Sequence, residues 1–525
     1  MDRDLAVSPS LEKNLKLISE TFSGDKTIKI RRFSSPAVPA LKAGVVFIDG
    51  LSNDLIINQN IIAPLVRFGG GLAPVPGESL IRAVSESILF GDDISFSSDL
   101  AQLIDAALTG DAVMFADGCS EGIVIAAKNW SLRSVDEPDS ERVISGPHEG
   151  FTESVIQNLS LVRRRITNSD LRYEFFQAGV RTKTVVCMCF MEGLADESML
   201  SDLRSRIRSI NIDCIFDAEY IEEIIKDGRY SLFKTTGSTQ RPDVVAAKLM
   251  EGRAALLING SPVAVTVPYV FMEYFHAPDD YYCDAYYATF NRLLRLAGFI
   301  MTISLPAVYL ALVTFHHEML PIKTLLSAAQ SRTGMPMSTM CEIVILILIF
   351  EMIREGSAKI PSSIGTAFSI VGGIVLGQAS VDANFVSLPI VIIVAFTGIT
   401  GMIVPQLRGP VLFLRFMLLL LADLMGLFGF MLGMMYLLFM ICSLESFGIS
   451  YTSLTSHDIR QALTDTFIRR PWPDMRKRPA IGSRNVIRQR PAGDGSVSKS
   501  HDDDAEDQNQ NQDEAKKSRG HYNNE

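Results

Sequence analysis

The sequence predicts a cytoplasmic α/β region of two lobes, then an α-helical transmembrane domain and a partly disordered C-terminal tail. Up to about residue 287 the apolar runs are short and alternate between helical and strand-like periods, which is typical of a soluble α/β region. After Arg292 apolar runs approach the roughly 20 residues that span a bilayer. Beyond residue 490 the chain is almost entirely polar. The predicted domains are residues 1–134, 135–287, 288–445, 446–490 and 491–525.

The amino-acid composition argues against several classes of function. The chain has 525 residues, 47% of them hydrophobic, and a formal net charge of −10, so nucleic acid is not an expected partner. Seven cysteines occur singly, without a CxxC pair, which fits neither a zinc site nor a disulfide framework. Residues 1–10 contain no apolar segment of a secretory signal, so we expect the lobes to be cytoplasmic.

In the first lobe, short β-rich runs predict strands at residues 27–30, 43–49, 112–116 and 122–127. Helical periodicity predicts helices at residues 55–68 and 78–89. A polar run at residues 135–140 is the expected linker to the second lobe.

In the second lobe, an amphipathic helix is predicted at residues 151–165. Strands at residues 180–190 and 254–259 are expected to bracket helices at residues 198–210 and 217–227. Asn259 and Gly260 between two β-rich runs give the strongest hairpin signal in the chain.

Five apolar stretches form the predicted transmembrane domain, and we expect four to six crossings. They are residues 293–315, 343–353, 364–381, 386–404 and 411–443. The last stretch would be about 50 Å long as one helix, so it is either strongly tilted or broken into a hairpin near residues 423–433. Arginines and lysines flank the stretches on one consistent side, which predicts that both termini face the cytoplasm and favours the hairpin.

Small residues recur at a spacing of four in the third stretch, at Gly365, Ser369, Gly373 and Gly377. This spacing places them in one stripe along a helix. Two explanations stay open: close packing of a neighbouring helix, or the lining of a narrow pore.

Ionisable residues at membrane depth are functional candidates, and here they are Glu342, Glu351 and Asp423. Glu342 and Glu351 could instead lie at the two membrane interfaces of a short helix. Asp423 should face protein or water, and pairing with Arg415 two turns earlier would make its role structural.

No catalytic constellation is found: GxSxG, HExxH and P-loop motifs are all missing. We therefore expect no enzymatic activity, no cofactor and no bound metal. After the last stretch, Trp472 lies in a basic, proline-containing segment. This segment could bind anionic lipids, or it could dock onto the cytoplasmic lobe of a neighbouring subunit, with Trp472 as the anchor.

Several long runs resemble the A subunits of the GerA family of bacterial spore germinant receptors. They include GPHEGFTESVIQNLSLVRRRI at residues 146–166, LPAVYLALVTFHHEMLP at residues 305–321, and DTFIRRPWPDMRKRP at residues 465–479. Two further runs, at residues 241–282 and 342–381, follow the same order. The resemblance covers roughly residues 140–479 and is weaker before residue 130.

The resemblance implies a receptor subunit in the inner membrane of dormant spores that senses nutrients and starts germination. It implies action with a transporter-like B subunit and a C-subunit lipoprotein, the B subunit holding most of the germinant. It also implies a homo-oligomer of A subunits that forms a ligand-gated cation channel. A secondary transporter and a membrane-anchored enzyme or signalling subunit are the alternatives. The sequence does not identify the germinant, the conducted ion or the number of subunits.

Overall fold

The computed structural model describes residues 6–22, 25–34, 42–67, 82, 94–127, 137–138, 141–228, 230–359, 377–452, 465–475, 477–478 and 487–488. The predicted helix at residues 78–89 and the predicted disordered tail at residues 491–525 lie outside the described residues, apart from Arg82.

The first lobe is a five-stranded sheet between two layers of helices. Its strands have the order β1-β2-β4-β5-β3, and every neighbouring pair is antiparallel. The helices are α1 (Leu11–Thr21), α2 (Asp54–Ile56, then a π-helical segment Ile57–Ile62, then Ala63–Arg67) and α3 (Leu100–Leu108). The strands are β1 (Ile28–Ser34), β2 (Lys42–Ile48), β3 (Ile94–Ser97), β4 (Ala112–Ala116) and β5 (Gly122–Ile125).

The two faces of this sheet carry separate apolar cores because successive side chains of a strand point to opposite faces. Val45 packs with Ile57 and Ile61 of α2. Its neighbour Val46 packs on the other face, with Leu15 of α1 and further residues of α3. Both faces are covered, which explains why β2 and β4 are apolar at nearly every position.

The second lobe repeats the first in strand order and in helix placement. Its sheet has the order β6-β7-β9-β10-β8, again antiparallel throughout. The helices are α4 (Val155–Arg165), α5 (Glu197–Arg208), α6 (Ala218–Ile225) and α7 (Pro242–Met250). The strands are β6 (Leu171–Ala178), β7 (Thr184–Met191), β8 (Gly237–Thr239), β9 (Ala254–Ile258) and β10 (Ala264–Val267).

The predicted hairpin at Asn259 and Gly260 is confirmed: β9 and β10 pair antiparallel, and Gly260 has a φ of +93°. Strands β6 and β8 and helix α7 were not predicted. Like the first sheet, the second has both faces covered, by α5 and α6 on one side and by α4 and α7 on the other.

A buried ion pair joins the lobes. Arg163 of α4 donates to Asp25, which precedes β1, at 2.6 Å, and both side chains are 1% exposed. The guanidinium of Arg163 also lies over the ring of Tyr173, 4.5 Å from its centroid. Because an unpaired charge in such a place is strongly destabilising, this pair holds the first lobe on the second.

The helical region contains α8 (Ala285–Thr314), α9 (Ile322–Ser331), α10 (Thr339–Lys359), α11 (Leu388–Gly401) and α12 (Arg408–Ser443). Within the described residues, Ala285–Thr314 and Pro405–Ser443 are long and apolar enough to cross a membrane. Pro306 lies inside α8. Around it, Ile303, Ala307 and Leu310 belong to the apolar core that α8 shares with α10, α11 and α12.

The predicted break in the last apolar stretch is present: α12 bends sharply at Gly426, whose φ is +62° and ψ is −141°. A Cβ atom on Gly433 would lie 2.6 Å from Leu418, and one on Gly429 would touch the carbonyl of Leu421. Contacts between residues 8 to 15 positions apart require two antiparallel arms, because a straight helix would separate 15 residues by about 22 Å. Helix α12 is therefore a hairpin.

The bend of this hairpin lies against the end of α8, since a Cβ on Gly426 would meet Phe315 and His316. At the opposite end, the chain returns to the second lobe. Ser446, which follows α12, accepts from the backbone N–H of Tyr269 at 3.0 Å and donates to the carbonyl of Thr235 at 2.7 Å. The helical region thus has one end on the second lobe and one end remote from it.

Replacing Asp25 with Ala should lower the free energy of unfolding by about 3 kcal/mol, because Arg163 stays buried without its partner. Chemical denaturation of the purified full chain measures this loss. The matched control is Glu12→Ala, which removes an exposed ion pair with Arg32 and should change stability by no more than about 0.5 kcal/mol. Equal effects of the two substitutions would contradict the structural role of the pair.

Candidate functional site

A buried aspartate fixes the start of α8 to the second lobe. Asp280 is 0% exposed. It accepts from Arg292 Nε at 3.1 Å and from Arg295 Nη1 at 2.8 Å. The two arginines are three residues apart, so they share one face of α8. Asp280 thereby holds the first turns of the helix against the segment that precedes it.

The segment that follows α12 in the sequence joins the same network. Arg292 Nη1 donates to the carboxylate of Asp465 at 2.9 Å and to its carbonyl at 2.7 Å. Tyr281 donates to the second carboxylate oxygen of Asp465 at 3.0 Å. The positive charge of Arg292 is therefore compensated by Asp280, which precedes the helix, and by Asp465, which lies 173 positions after Arg292 in the sequence.

His276 adds a titratable contact to this network. Its Nε2 donates to the carbonyl of Thr466 at 2.8 Å, which requires the proton on that nitrogen. Burial, with the nearby charge of Arg292, lowers the pKa of His276 to about 4. The imidazole is therefore neutral at physiological pH.

The remaining described part of the basic segment lies on the second lobe of its own chain. The Trp472 ring is 6.1 Å from the ring of Tyr281 and is about half exposed. Arg488 pairs with Glu251 at 3.0 Å, and Arg478 donates to the carbonyl of Met250 at 2.8 Å. Trp472 thus has an anchoring contact within its own chain, and docking onto a neighbouring subunit stays a prediction.

A cavity of about 510 Å³ lies where the second lobe, the loop before α12 and the basic segment meet. Its charged wall contains Arg253 and Lys248, which pair with Glu273 at 2.6 Å and 3.2 Å. Although burial alone would raise it, these two cations hold the pKa of Glu273 at about 2. Also in the cavity lining, Tyr269 donates to Gln406 at 3.4 Å. One wall therefore belongs to the second lobe and another to the helical region.

Within the helical region, Glu351 lies among polar groups. It forms an ion pair with Arg354, and Arg415 Nη1 lies 4.0 Å from its carboxylate. Arg415 is 3% exposed and donates to the carbonyl of Thr302 at 3.2 Å. The Thr302 hydroxyl in turn donates to Thr400 at 2.8 Å. The four helices α8, α10, α11 and α12 thus meet in one polar layer.

Glu342 lies in a different environment, completely buried near the start of α10. One carboxylate oxygen accepts from the backbone N–H of Ser387 at 3.0 Å. The other has no hydrogen-bond partner among the described residues. Glu342 therefore lies inside the helical region, and its depth relative to the membrane interfaces stays a prediction.

Asp423 is exposed on the surface of α12, three residues before the bend. Pairing with Arg415 is not formed, because the guanidinium of Arg415 is directed to Thr302 and Glu351. Of the predicted stripe, Gly365, Ser369 and Gly373 lie outside the described residues. A Cβ on Gly377 would have no described atom within 4 Å.

Sequence reasoning paired neither Asp280 nor Asp465 with the arginines of α8. The available signal was two aspartates closely preceding a helix whose first turns carry arginines on one face. No sequence signal linked Asp465 to this group, because its partner is far away along the chain.

Comparison with known proteins gives concordant similarities. The family model described as Bacillus/Clostridium GerA spore germination protein matches residues 16–481. The chain is 35% identical over 485 residues to the Bacillus subtilis (strain 168) protein called uncharacterized membrane protein YfkQ, covering 92% of this chain and 93% of that one. It is 33% identical over 491 residues to spore germination protein KA of the same strain, covering 93% and 90%.

A solved structure is also similar, the N-terminal domain of the A subunit of the Bacillus megaterium spore germinant receptor GerK3. Its sequence identity to this chain is 27%, and the TM-score is 0.37. The alignment covers 51% of this chain and 98% of that chain.

Acidification should destabilise the folded chain through His276, because protonation places a positive charge in a buried site near Arg292. The folded pKa of about 4 lies below the ordinary value of 6.5. The unfolded chain therefore takes up the proton first, and the stability that is present above pH 6.5 is lost as the pH falls to 4. We expect a loss of up to about 3 kcal/mol from this group.

Chemical denaturation of the purified full chain at a series of pH values measures this loss. The variant His276→Gln keeps a donor but cannot titrate, so its stability should fall less between pH 6.5 and 4. Parallel pH profiles of the two proteins would contradict the assignment.

Proposed function

Because the chain belongs to the GerA family of spore germination proteins, we propose that it is the A subunit of a nutrient germinant receptor that triggers spore germination. The family resemblance drawn from the sequence is confirmed by the match over nearly the whole chain and by relatives that include germination protein KA. The single observation that carries a receptor role is the junction between lobe and helices, where Asp280 joins both.

We propose a multi-pass protein of the spore inner membrane, with the lobes and both termini on the cytoplasmic side, which is the spore core. Two features support this orientation. Helix α8 leaves from the second lobe, and the hairpin α12 begins and ends near it, with its bend beside Phe315 and His316. Arginines 292, 295 and 408 lie at the lobe end, in agreement with the positive-inside rule.

The arms of the hairpin are about 26 Å long at 1.5 Å per residue. That length is close to the hydrocarbon thickness of about 30 Å. The two arms therefore count as two crossings, and with α8 they support a domain of several spans.

In the proposed receptor, A subunits form a homo-oligomeric cation channel together with a B subunit, a C-subunit lipoprotein and membrane lipids. Large apolar side chains exposed on α12, such as Phe428, Met431 and Phe439, are available to lipid or to neighbouring subunits. Gly377 faces open space in the single chain, which leaves room for a second copy. We propose no enzymatic activity and no cofactor.

Gating would use the junction. A ligand signal that moves the second lobe displaces Asp280, and Asp280 is bound to α8 through two arginines. The cavity provides a second mechanical link, because Tyr269 of the lobe contacts Gln406 just before α12. Such a coupling needs two arrangements of the junction with different ligand affinity.

The test is reconstitution of the purified A, B and C subunits in liposomes, followed by measurement of cation flux after addition of nutrient. A channel predicts rapid downhill flux that starts only with the nutrient. A secondary transporter would instead move the nutrient itself, with a fixed ratio to the coupled ion. A signalling subunit would give neither flux, and either result would overturn the channel proposal.

Replacing Gly377 with Leu should slow nutrient germination roughly tenfold or more while the amount of the protein in spores stays normal. A Cβ atom added at Gly377 has no described atom within 4 Å, but a leucine there blocks the close approach of a neighbouring helix. Germination is followed by the loss of spore optical density, and protein amount by immunoblot.

The matched control is Gly409→Leu, the same change at a glycine of α12 that also has open space around it and lies outside the stripe. Equal germination rates of the two mutants would contradict a specific role for the stripe of small residues.

A further inference from the structure

Unpaired oxygen atoms cluster at the end of the helical region that is remote from the lobes. Within the described residues, buried oxygens without a hydrogen-bond partner include Glu342 Oε1, Thr339 Oγ1, Ser387 Oγ and Tyr309 Oη. Glu342, Ser387 and Thr339 are 0%, 1% and 2% exposed. These side chains are not reached by bulk water.

The four oxygens come from three helices that meet at this place. Thr339 and Glu342 are three residues apart on α10 and share one face. Ser387, at the start of α11, contacts Glu342 through its backbone N–H at 3.0 Å. Tyr309 of α8 packs against the apolar core that contains Ile343 and Val386, the neighbours of Glu342 and Ser387.

No described cationic side chain forms an ion pair with this carboxylate. A buried carboxylate with a single hydrogen bond is costly unless a cation compensates it, and each unsatisfied hydroxyl adds to the cost. Arg332 is the cation closest to Glu342 in the sequence. In the part of the chain that the structure describes, however, no ion pair joins Arg332 to Glu342, and Arg332 Nε is itself unpartnered.

We infer that Glu342, Thr339, Ser387 and Tyr309 bind one monovalent cation, Na⁺ or K⁺. One carboxylate neutralises a single positive charge, and neutral hydroxyl oxygens complete a hard-oxygen shell. Divalent cations such as Ca²⁺ recruit more carboxylates, and Glu342 is the only carboxylate among these four groups. A water molecule could satisfy the hydroxyls but would leave the charge of Glu342 uncompensated.

This inference goes beyond the proposed function, because the cation would tie α8, α10 and α11 together whether or not an oligomer conducts ions. Its position differs from the polar layer around Glu351, where Arg354 and Arg415 already supply the positive charge. The two carboxylates of α10 therefore have different counterions, one from the protein and one from solution.

The test is equilibrium binding of ²²Na⁺ and ⁸⁶Rb⁺, the latter standing for K⁺, to the purified full chain in detergent with choline chloride as the background salt. We expect saturable binding of one ion per chain. Glu342→Gln should abolish it, and Thr339→Val and Ser387→Ala should each weaken it roughly fivefold. Glu351→Gln is the matched control and should keep the binding.

Thermal unfolding of the same samples separates binding from folding. Replacing choline by Na⁺ or K⁺ should raise the unfolding temperature of the unmodified chain by roughly 2–5 °C, and that of Glu342→Gln by much less. If Glu342→Gln does not fold, the variants Thr339→Val and Ser387→Ala test the site in its place. Unchanged cation binding in both variants would overturn the proposed site. If the unfolding temperature responds to pH but not to Na⁺ or K⁺, a proton rather than a metal cation neutralises Glu342, and the cation proposal is overturned.

Discussion

The structure depends on the burial of one carboxylate, Asp280, between two arginines of the first long helix. Asp280 is fully buried and contacts Arg292 and Arg295. Removing one partner from such a group leaves an uncompensated charge away from water, which is among the most unfavourable changes in a protein. The segment before α8, the helix itself and the Asp465 segment are therefore positioned together. A movement of any of them requires the others to follow or the charges to separate.

The two lobes share one fold, and they connect to Asp280 through buried contacts. Each lobe is a sheet with both faces covered by helices, and such a three-layer unit is stiff because its core is close-packed. Asp25 and Arg163 join the two units through another buried ion pair. The second lobe then meets the helices through Asp280 and through the contact of Tyr269 with Gln406. The second lobe thus contacts the helical region at two separate places.

Three acidic residues of the helical region illustrate how position decides chemical role. Asp423 is exposed near the bend of α12, where lipid, solvent or another subunit can reach it. Glu351 is compensated by arginines of its own chain. Glu342 is completely buried, and the described residues provide a hydrogen bond to only one of its two oxygens. Sequence alone gives the three residues one description, as ionisable groups at membrane depth.

The sequence by itself determined the features that depend on local pattern. Apolar periodicity placed most strands of the lobes, the hairpin at Gly260 and the break in the last apolar stretch, because side-chain spacing and glycine conformation act over a few residues. The long ordered runs also identified the family. Strand β6 escaped prediction because its residues are unevenly buried and do not alternate cleanly.

Only the tertiary structure decided which distant groups meet. The common strand order of the two lobes arises from pairing between strands far apart in sequence. We found no repeated sequence motif that predicts this order. Arg292 meets Asp465, and Glu342 meets Ser387, across many intervening residues. Such contacts are set by how whole helices and sheets pack, and their free energy comes from shared burial. The pattern of residue types along the chain does not predict which distant residues are buried together.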